Sequence, residues 1–394
     1  MTSARIDLIF PRFKLLSGAE RAILGLAEAM SNAGHSPRII CHQFDKSCES
    51  RLVNGVELVC SGRRLDWTPN RYLNAAFDYM RAFQLRAFLN PKADIQILFG
   101  PALPLIVNLR KLRRSKAVVL YYCWEPPRVL YQDREIVLSR LGWLSRFMSF
   151  ALRAYTVWDR YMVALTDGVC TSSQFAAKRI QECYGRPATP VTLGVDRLRL
   201  RKVVDNVPDI PPVMLTVNYL HPRKRVDLII EAVAMCGRAM SPGEKPKLVI
   251  VGDGPERRSL EELVVRLGLS SRVRFAGFVP DDELPRYYGS ATCYLHAGVE
   301  ESFGLSVIEA SYCGRPVVAV DEAGIKETVE HGVTGYRVPA TAIDLATAID
   351  QILERLDHGR SLGQAGHRRI EERYRWEQGV VDVMQLARDV KVWR

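Results

Sequence analysis

Twice along this chain, short apolar runs alternate with helical patterns and glycine-bearing turns. The first series opens with Ile6–Phe10, a buried-strand pattern. Ser17-Gly18-Ala19-Glu20-Arg21 then starts a helix whose apolar positions, Ile23, Leu24, Leu26, Ala27 and Met30, recur at helical spacing. Ala33-Gly34-His35 closes it after Asn32, His35 reading as a structural residue, and Pro37–Cys41 begins the next strand. Strand, turn, helix and strand in that order make a βαβ unit, and such units build parallel sheets. Further strands are expected at Ile95–Phe99, Ala117–Tyr122 and Gly168–Thr171. A linker with Pro208, Pro211 and Pro212 follows over about 201–212.

After the linker the alternation restarts. Strands are expected at Val213–Val217, Lys247–Val251, Val273–Ala276 and Ala291–Leu295, and helices at Val226–Cys236, Glu256–Leu267 and Glu283–Gly289. The pattern predicts an α/β chain of two doubly wound, parallel-sheet domains. Ligands then belong at the carboxyl ends of the strands, in the cleft between the domains.

A chain of 394 residues has room for two such domains. Its 47% hydrophobic and 25% charged residues are those of a soluble globular protein, and no apolar run reaches the length of a membrane span. The first ten residues lack the layout of a signal peptide. Nine scattered cysteines, odd in number and without a Cys-x-x-Cys pair, argue against zinc and disulfide frameworks, so the cytoplasm is the expected compartment.

Charge is uneven. Residues 1–200 hold 29 Lys and Arg against 16 Asp and Glu, whereas the rest holds 26 against 28. Two readings stay open: an anionic partner (a membrane surface, a phosphorylated lipid or a nucleic acid), or a basic excess that serves solubility. Two stretches in this half interleave aromatic and basic residues. One, Trp67 to Phe88, carries Arg71, Tyr72, Phe77, Tyr79, Arg81, Phe83 and Arg86; the other, Arg140 to Trp158, carries Trp143, Arg146, Phe147, Phe150, Arg153 and Tyr155. They fit a membrane interface, or ordinary helices with an aromatic core face and a wet arginine face.

The chemistry-bearing stretch is Gly298-Val299-Glu300-Glu301-Ser302-Phe303-Gly304-Leu305-Ser306-Val307-Ile308-Glu309-Ala310, with carboxylates at Glu301 and Glu309 eight positions apart. A helix beginning near Gly304 leaves Glu301 in the preceding loop and Glu309 inside the helix, with a helix start suited to an anion between them. By residue type alone the two are a general acid and base, or surface charges. Pro222-Arg223-Lys224-Arg225 follows a strand end; Lys224 and Arg223 suit a phosphate there, and Arg225 is expected in solvent. Gly252-Asp253-Gly254-Pro255 is either a ligand-approach loop or a structural turn, and falls short of a dinucleotide fingerprint. His296, near the end of a buried strand and facing the cleft by topology, reads as a core residue or a support behind the site residues before a catalyst.

With these residues in view, the chain resembles the retaining glycosyltransferases of family 4, which have the GT-B fold. Glu301 and Glu309 within Glu-Ser-Phe-Gly-Leu-Ser-Val-Ile-Glu-Ala are similar to that family's E-x7-E motif. Ser17–Arg21 with Ala33-Gly34-His35 resembles its N-terminal loop and helix. Val249–Pro255, Phe275–Val279, Gly324–Glu327 and Gly332–Gly335 resemble its donor domain. Tyr122-Cys123-Trp124-Glu125-Pro126-Pro127-Arg128, Trp158-Asp159-Arg160, Arg179-Ile180 and Tyr184–Pro187 are similar to mannosyltransferases that act on lipid-linked oligosaccharides and polysaccharides.

The resemblance implies two Rossmann-like domains, 1–205 for the acceptor and 206–374 for the donor, with a helix over 375–394 crossing back to the first. It implies a hexose, mannose from GDP-mannose, moved to a lipid-linked or polysaccharide acceptor at the cytosolic membrane face, without a metal, a cofactor or a nucleic-acid partner. Glu301 would contact the donor sugar and steady the oxocarbenium ion, and Glu309 would hold the ribose. Lys224 with Arg223 would neutralise the diphosphate, joined by the amides of Phe303, Gly304, Leu305 and Ser306. Gly18 would leave room for the donor phosphate, Gly277, Phe278 and Val279 would flank the base, and Trp124 and Glu125 would lie near the sugar or acceptor. Two departures stand out: Tyr219 replaces an arginine of the family, and Trp124 a histidine. A UDP-hexose donor, a sugar-nucleotide epimerase of the same fold, and an inactive binding protein are the alternatives.

Overall fold

The computed structural model describes residues 3–13, 17–49, 51–62, 81–111, 116–139, 145–203, 211–237, 240–241 and 243–392. Trp67, Arg71, Tyr72, Phe77, Tyr79, Arg140, Trp143 and Pro208 lie outside them. Contacts divide the chain into two compact units, residues 1–193 with 376–394, and residues 194–375.

The first unit is built on a seven-stranded sheet. Its strands are β1 (Arg5–Ile9), β2 (Ser36–Cys41), β3 (Glu57–Cys60), β4 (Ile95–Phe99), β5 (Val118–Tyr122), β6 (Gly168–Thr171) and β7 (Thr189–Pro190). They lie in the order β3-β2-β1-β4-β5-β6-β7, and every neighbouring pair is parallel. Such strands are covered on both faces, so they read as continuous apolar runs; β4 and β5 are buried throughout. Helix α1 (Gly18–Asn32) connects β1 to β2 and buries Ile23, Leu24, Leu26, Ala27 and Met30. The long helix α2 (Ser145–Ala164) leads into β6.

The last helix, Trp376–Val392, belongs to this unit. Gly25 of α1 makes room for it: a β-carbon there would stand 2.5 Å from the Trp376 ring. Asp382 accepts a hydrogen bond from the Thr192 amide at 2.9 Å.

The second unit begins at Gly194, so residues 194–203, part of the stretch up to 205 allotted by sequence to the first domain, sit with the second. Helix α3 (Arg197–Leu200) is fastened there through Arg199, whose guanidinium meets Asp281 and Glu309. The six-stranded sheet comprises β8 (Val213–Val217), β9 (Lys247–Val251), β10 (Val273–Gly277), β11 (Cys293–His296), β12 (Val317–Val320) and β13 (Gly335–Val338). Their order is β10-β9-β8-β11-β12-β13, again all parallel. Helix α4 (Val226–Met235) packs Ile229, Ile230 and Val233 into a core with Met214, Leu248, Ile250 and Leu295. Full burial of each such side chain contributes about 1.5–3 kcal/mol.

The expected strand Ala291–Leu295 is displaced towards its carboxyl end. Ala291 is drawn back by the Tyr288 carbonyl, and the Thr292 hydroxyl accepts from the Val213 amide at 3.1 Å, so regular pairing starts at Cys293.

Candidate functional site

In a doubly wound sheet the strand order reverses at one point, and the loops leaving the flanking strands open a crevice there. In the second unit that point lies between β8 and β11. The loop after β8 carries Lys224, in a single tight turn over Pro222–Lys224. The loop after β11 carries Glu301. The amide of Val299 donates to the Arg223 carbonyl at 2.7 Å and ties the two loops together. The Lys224 ammonium and the Glu301 carboxylate are in direct contact.

The charges of this pair are mutually supporting. Burial opposes ionisation of Glu301, but Lys224, with help from His296 and Arg223, holds its carboxyl below the usual range. His296, at the end of β11, is buried and places Nε2 3.9 Å from Glu301. Burial, reinforced by Lys224 and only partly offset by Glu301, brings its imidazole down to about 4, so it is neutral at neutral pH. It is therefore a core residue that lies directly behind the ion pair, so the two readings of it meet in one place. Gly298 makes that approach feasible: a β-carbon would stand 2.9 Å from His296 Nε2 and 3.6 Å from Lys224 Cδ.

The backbone around the pair is strained. Among the described residues, the non-glycine positions in the left-handed region are Arg225, Glu300 and Ala323, with φ of 46°, 52° and 52°. Arg225 follows Lys224 and Glu300 precedes Glu301. Ala323 precedes Gly324, whose amide donates to the Glu301 carbonyl at 2.9 Å. Arg225 is not left to solvent as expected: it is half-buried and ion-pairs with Glu322 at 3.2 Å, because the left-handed turn at Arg225 itself brings its side chain to that neighbouring loop.

Helix α5 (Leu305–Tyr312) begins just past Glu301. Its N-cap, Gly304, is left-handed at φ 84° and has no side chain of its own with which to cap the helix start. Phe303 is buried against Tyr374, and the Ser306 hydroxyl accepts from Tyr294 at 2.7 Å. The amides from Phe303 to Ser306 thus sit on a fixed helix start beside Lys224 and Glu301. Glu309 lies one turn further in and is buried. Its Oε1 accepts from Arg199 Nη2 at 3.2 Å and its Oε2 from the Tyr288 hydroxyl at 2.8 Å. Glu301 pairs with Lys224 and Glu309 with Arg199, so neither is placed as the other's acid–base partner.

The turn Gly252-Asp253-Gly254-Pro255 packs on the loop that leads to Lys224. A β-carbon at Gly252 would stand 1.8 Å from the Asn218 carbonyl oxygen, and one at Gly254 2.3 Å from that of Leu220. The glycines thus admit a neighbouring loop, which favours the structural reading. Gly277 ends β10 at φ 71°, leaving Phe278 exposed and Val279 buried. Tyr219 is exposed and stacks on His221.

Three sequence candidates lie in the first unit. Gly18 opens α1 and is exposed, beside the contact between the Ser17 hydroxyl and Glu20. Trp124, just past β5, continues an aromatic ladder, with ring centroids 4.4 Å from Tyr122 and 6.1 Å from Phe99. Glu125 is held by Arg128 at 2.9 Å and Arg179 at 3.4 Å.

Arg199, Tyr288 and Asp281 were not singled out in the sequence. Arg199 and Glu309 are 110 positions apart, and no local spacing links them. Among the described residues, no group of three or more His, Cys, Asp or Glu is placed to hold a metal ion, and no helix is long and apolar enough to cross a membrane.

Comparison with known proteins accounts for both halves. The profile for a "Glycosyl transferase 4-like domain" matches residues 17–193, and that for "Glycosyl transferases group 1" matches residues 200–369. The alpha-1,3/1,6-mannosyltransferase ALG2 of Homo sapiens is 26% identical over 388 residues, covering 91% of this chain and 90% of that protein. A GDP-mannose-dependent alpha-(1-6)-phosphatidylinositol monomannoside mannosyltransferase of Mycobacterium tuberculosis is 30% identical over 230 residues, covering 54% of this chain and 59% of that protein. Among solved structures, sucrose-phosphate synthase from Thermosynechococcus elongatus superposes with a TM-score of 0.74 at 21% identity, covering 99% of this chain and 100% of that one. The two parallel sheets with reversing strand order, and these matches over both units, show that the chain belongs to the family 4 glycosyltransferases of GT-B fold.

Proposed function

We propose that this glycosyltransferase moves a hexose with retention of configuration, from a nucleotide sugar to a lipid-linked or polysaccharide acceptor, and needs no metal. The contact between Lys224 and Glu301, beside a helix start with a glycine N-cap, carries the reading. Breaking the bond between a sugar and a diphosphate builds positive charge on the sugar and negative charge on the leaving group. Glu301 answers the first, and Lys224 with Arg223 and the amides of Phe303, Gly304, Leu305 and Ser306 answers the second. Glu309 binds the ribose, and the exposed ring of Phe278, with Gly277 and Val279, flanks the base. Gly18 leaves room for the donor phosphate, and Trp124 and Glu125 lie near the sugar or acceptor. The mannosyltransferases among the relatives favour GDP-mannose as donor.

A thermal-shift panel of nucleotide sugars tests the donor, since a bound ligand raises the melting temperature by mass action. GDP-mannose should give the largest rise, and a larger rise with a UDP-hexose would reassign the donor. Product from the shifting donor should keep the anomeric configuration and form in the presence of EDTA. Conversion of donor alone to an epimeric sugar, as opposed to simple hydrolysis, would establish an epimerase instead.

An anionic membrane face is part of the same proposal. Helix α2 exposes Phe147, Phe150, Val157, Trp158 and Tyr161, which fall on one side of the helix. Arg146, Arg153 and Arg160 stand at seven-residue steps along the edge of that stripe. Apolar side chains would enter the interface while arginines meet anionic headgroups. Anionic liposomes should retain the protein at low salt and lose it at high salt, and the double variant Phe147→Asp, Phe150→Asp should bind weakly at both. Equal retention on neutral vesicles, unaffected by salt, would remove the anionic surface from the proposal, and no retention on either vesicle would remove the membrane.

A further inference from the structure

Glu309 does not stand alone inside the second unit. Arg199 reaches it from α3, more than a hundred residues earlier in the chain, with a side chain that is 11% exposed. The same guanidinium meets the Asp281 carbonyl at 2.7 Å and its carboxylate at 3.1 Å, with Asp196 at 3.6 Å. Burial works against this cation, but Glu309, Asp281 and Asp196 outweigh it and hold its pKa above the ordinary value. The planar guanidinium presents its donors in a rigid fork, so groups bound to it are fixed relative to one another.

We infer that Arg199 is a positioning residue for nucleotide recognition, fixing the Glu309 carboxylate in the rotation that receives the ribose hydroxyls and tying it to the loop beside Gly277–Val279. The inference rests on the reading of Glu309 as the ribose ligand. Arg199 occupies one lone pair of Oε1 and Tyr288 one of Oε2. With one donor on each oxygen the plane of the carboxylate is fixed, and the paired oxygens of a carboxylate match the spacing of a vicinal diol. Without Arg199 the carboxylate loses the ion pair that fixes its rotation and can turn away. The link to Asp281 adds that the ribose-binding helix and the loop expected to flank the base are held by one side chain.

The test compares ribo and deoxyribo ligands by calorimetric titration on the full chain. GDP and 2′-deoxy-GDP, and UDP and 2′-deoxy-UDP, are titrated into the wild type, Arg199→Met, Arg199→Lys and Glu309→Gln. For the tighter-binding base, the wild type should prefer the ribonucleotide about tenfold or more, the worth of one hydrogen bond to a charged group. Arg199→Met should lose most of that preference. Arg199→Lys keeps the charge and the fold but not the planar fork, so it should lose part of that preference and keeps the inference testable if Arg199→Met unfolds. An anchor of α3 with no part in recognition would lower the melting temperature and leave the preference intact, and that result would overturn the inference. If Glu309→Gln loses the preference and both Arg199 variants keep it, only the role of Arg199 fails. If Glu309→Gln keeps it as well, the ribose reading of Glu309 fails with it.

Discussion

Glu301→Gln should fold normally and bind donor close to wild-type affinity, yet turn over about 10²–10³-fold more slowly, the scale seen when one preorganised electrostatic group is lost. The substitution keeps the shape of the side chain and removes its charge. In the wild type that charge is secured by Lys224 against the effect of burial, so it is present before a donor arrives and needs no proton release during the reaction. Lys224→Met should be the more damaging change for donor binding, because it removes the cation proposed to meet the diphosphate and takes from Glu301 the ammonium it contacts. Steady-state kinetics separate the two: Glu301→Gln should act mainly on kcat, and Lys224→Met on kcat and KM together. Unchanged turnover in both variants would mean that the pair is structural and that the reacting centre lies elsewhere.

Gly252→Ala should destabilise the protein by about 3–5 kcal/mol, the sum of a backbone held in a glycine-only region and a forced overlap. At the size of one unit this is a drop of roughly 10 °C in melting temperature. The added methyl would overlap the Asn218 carbonyl oxygen at 1.8 Å, in a backbone at φ 120°. Asn218 starts the loop that ends in Lys224, so activity should fall further than the loss of folded protein accounts for. Gly268 supplies the control. Its φ is 67°, but nothing lies within 4 Å of the position a β-carbon would take. Gly268→Ala should therefore show only the backbone penalty, about 1 kcal/mol. Equal melting temperatures for the two variants would rule out the close approach at Gly252.

The strands Ile95–Phe99, Gly168–Thr171, Val213–Val217 and Lys247–Val251 coincide with their sequence assignments. Each is a parallel strand covered on both faces, so its residues are mostly apolar one after another, and the turns that bound them are marked in the chain. Lys224, Glu301 and Glu309 were legible for a related reason: each sits at a fixed distance from a strand end or a glycine turn. Arg199 was not. In the sequence it is one more cation in a basic half, and its meaning comes from Asp281 and Glu309, brought to it by the folding of the second unit. The changeover between the units was hidden in the same way. The prolines at 208, 211 and 212 are conspicuous, but α3, a few residues before them, is already committed to the second unit by that arginine.

The left-handed residues around Lys224 and Glu301 have a consequence for how this protein can be improved. Arg225, Glu300 and Ala323 all hold a conformation that glycine would adopt without strain. Substituting glycine there would relieve the backbone and also loosen the loops that keep opposite charges in register. The simplest local means of hardening the second unit against heat therefore lies where rigidity matters most to the proposed site. A heat-resistant variant that keeps its rate is better sought in the outer helices, far from these three turns.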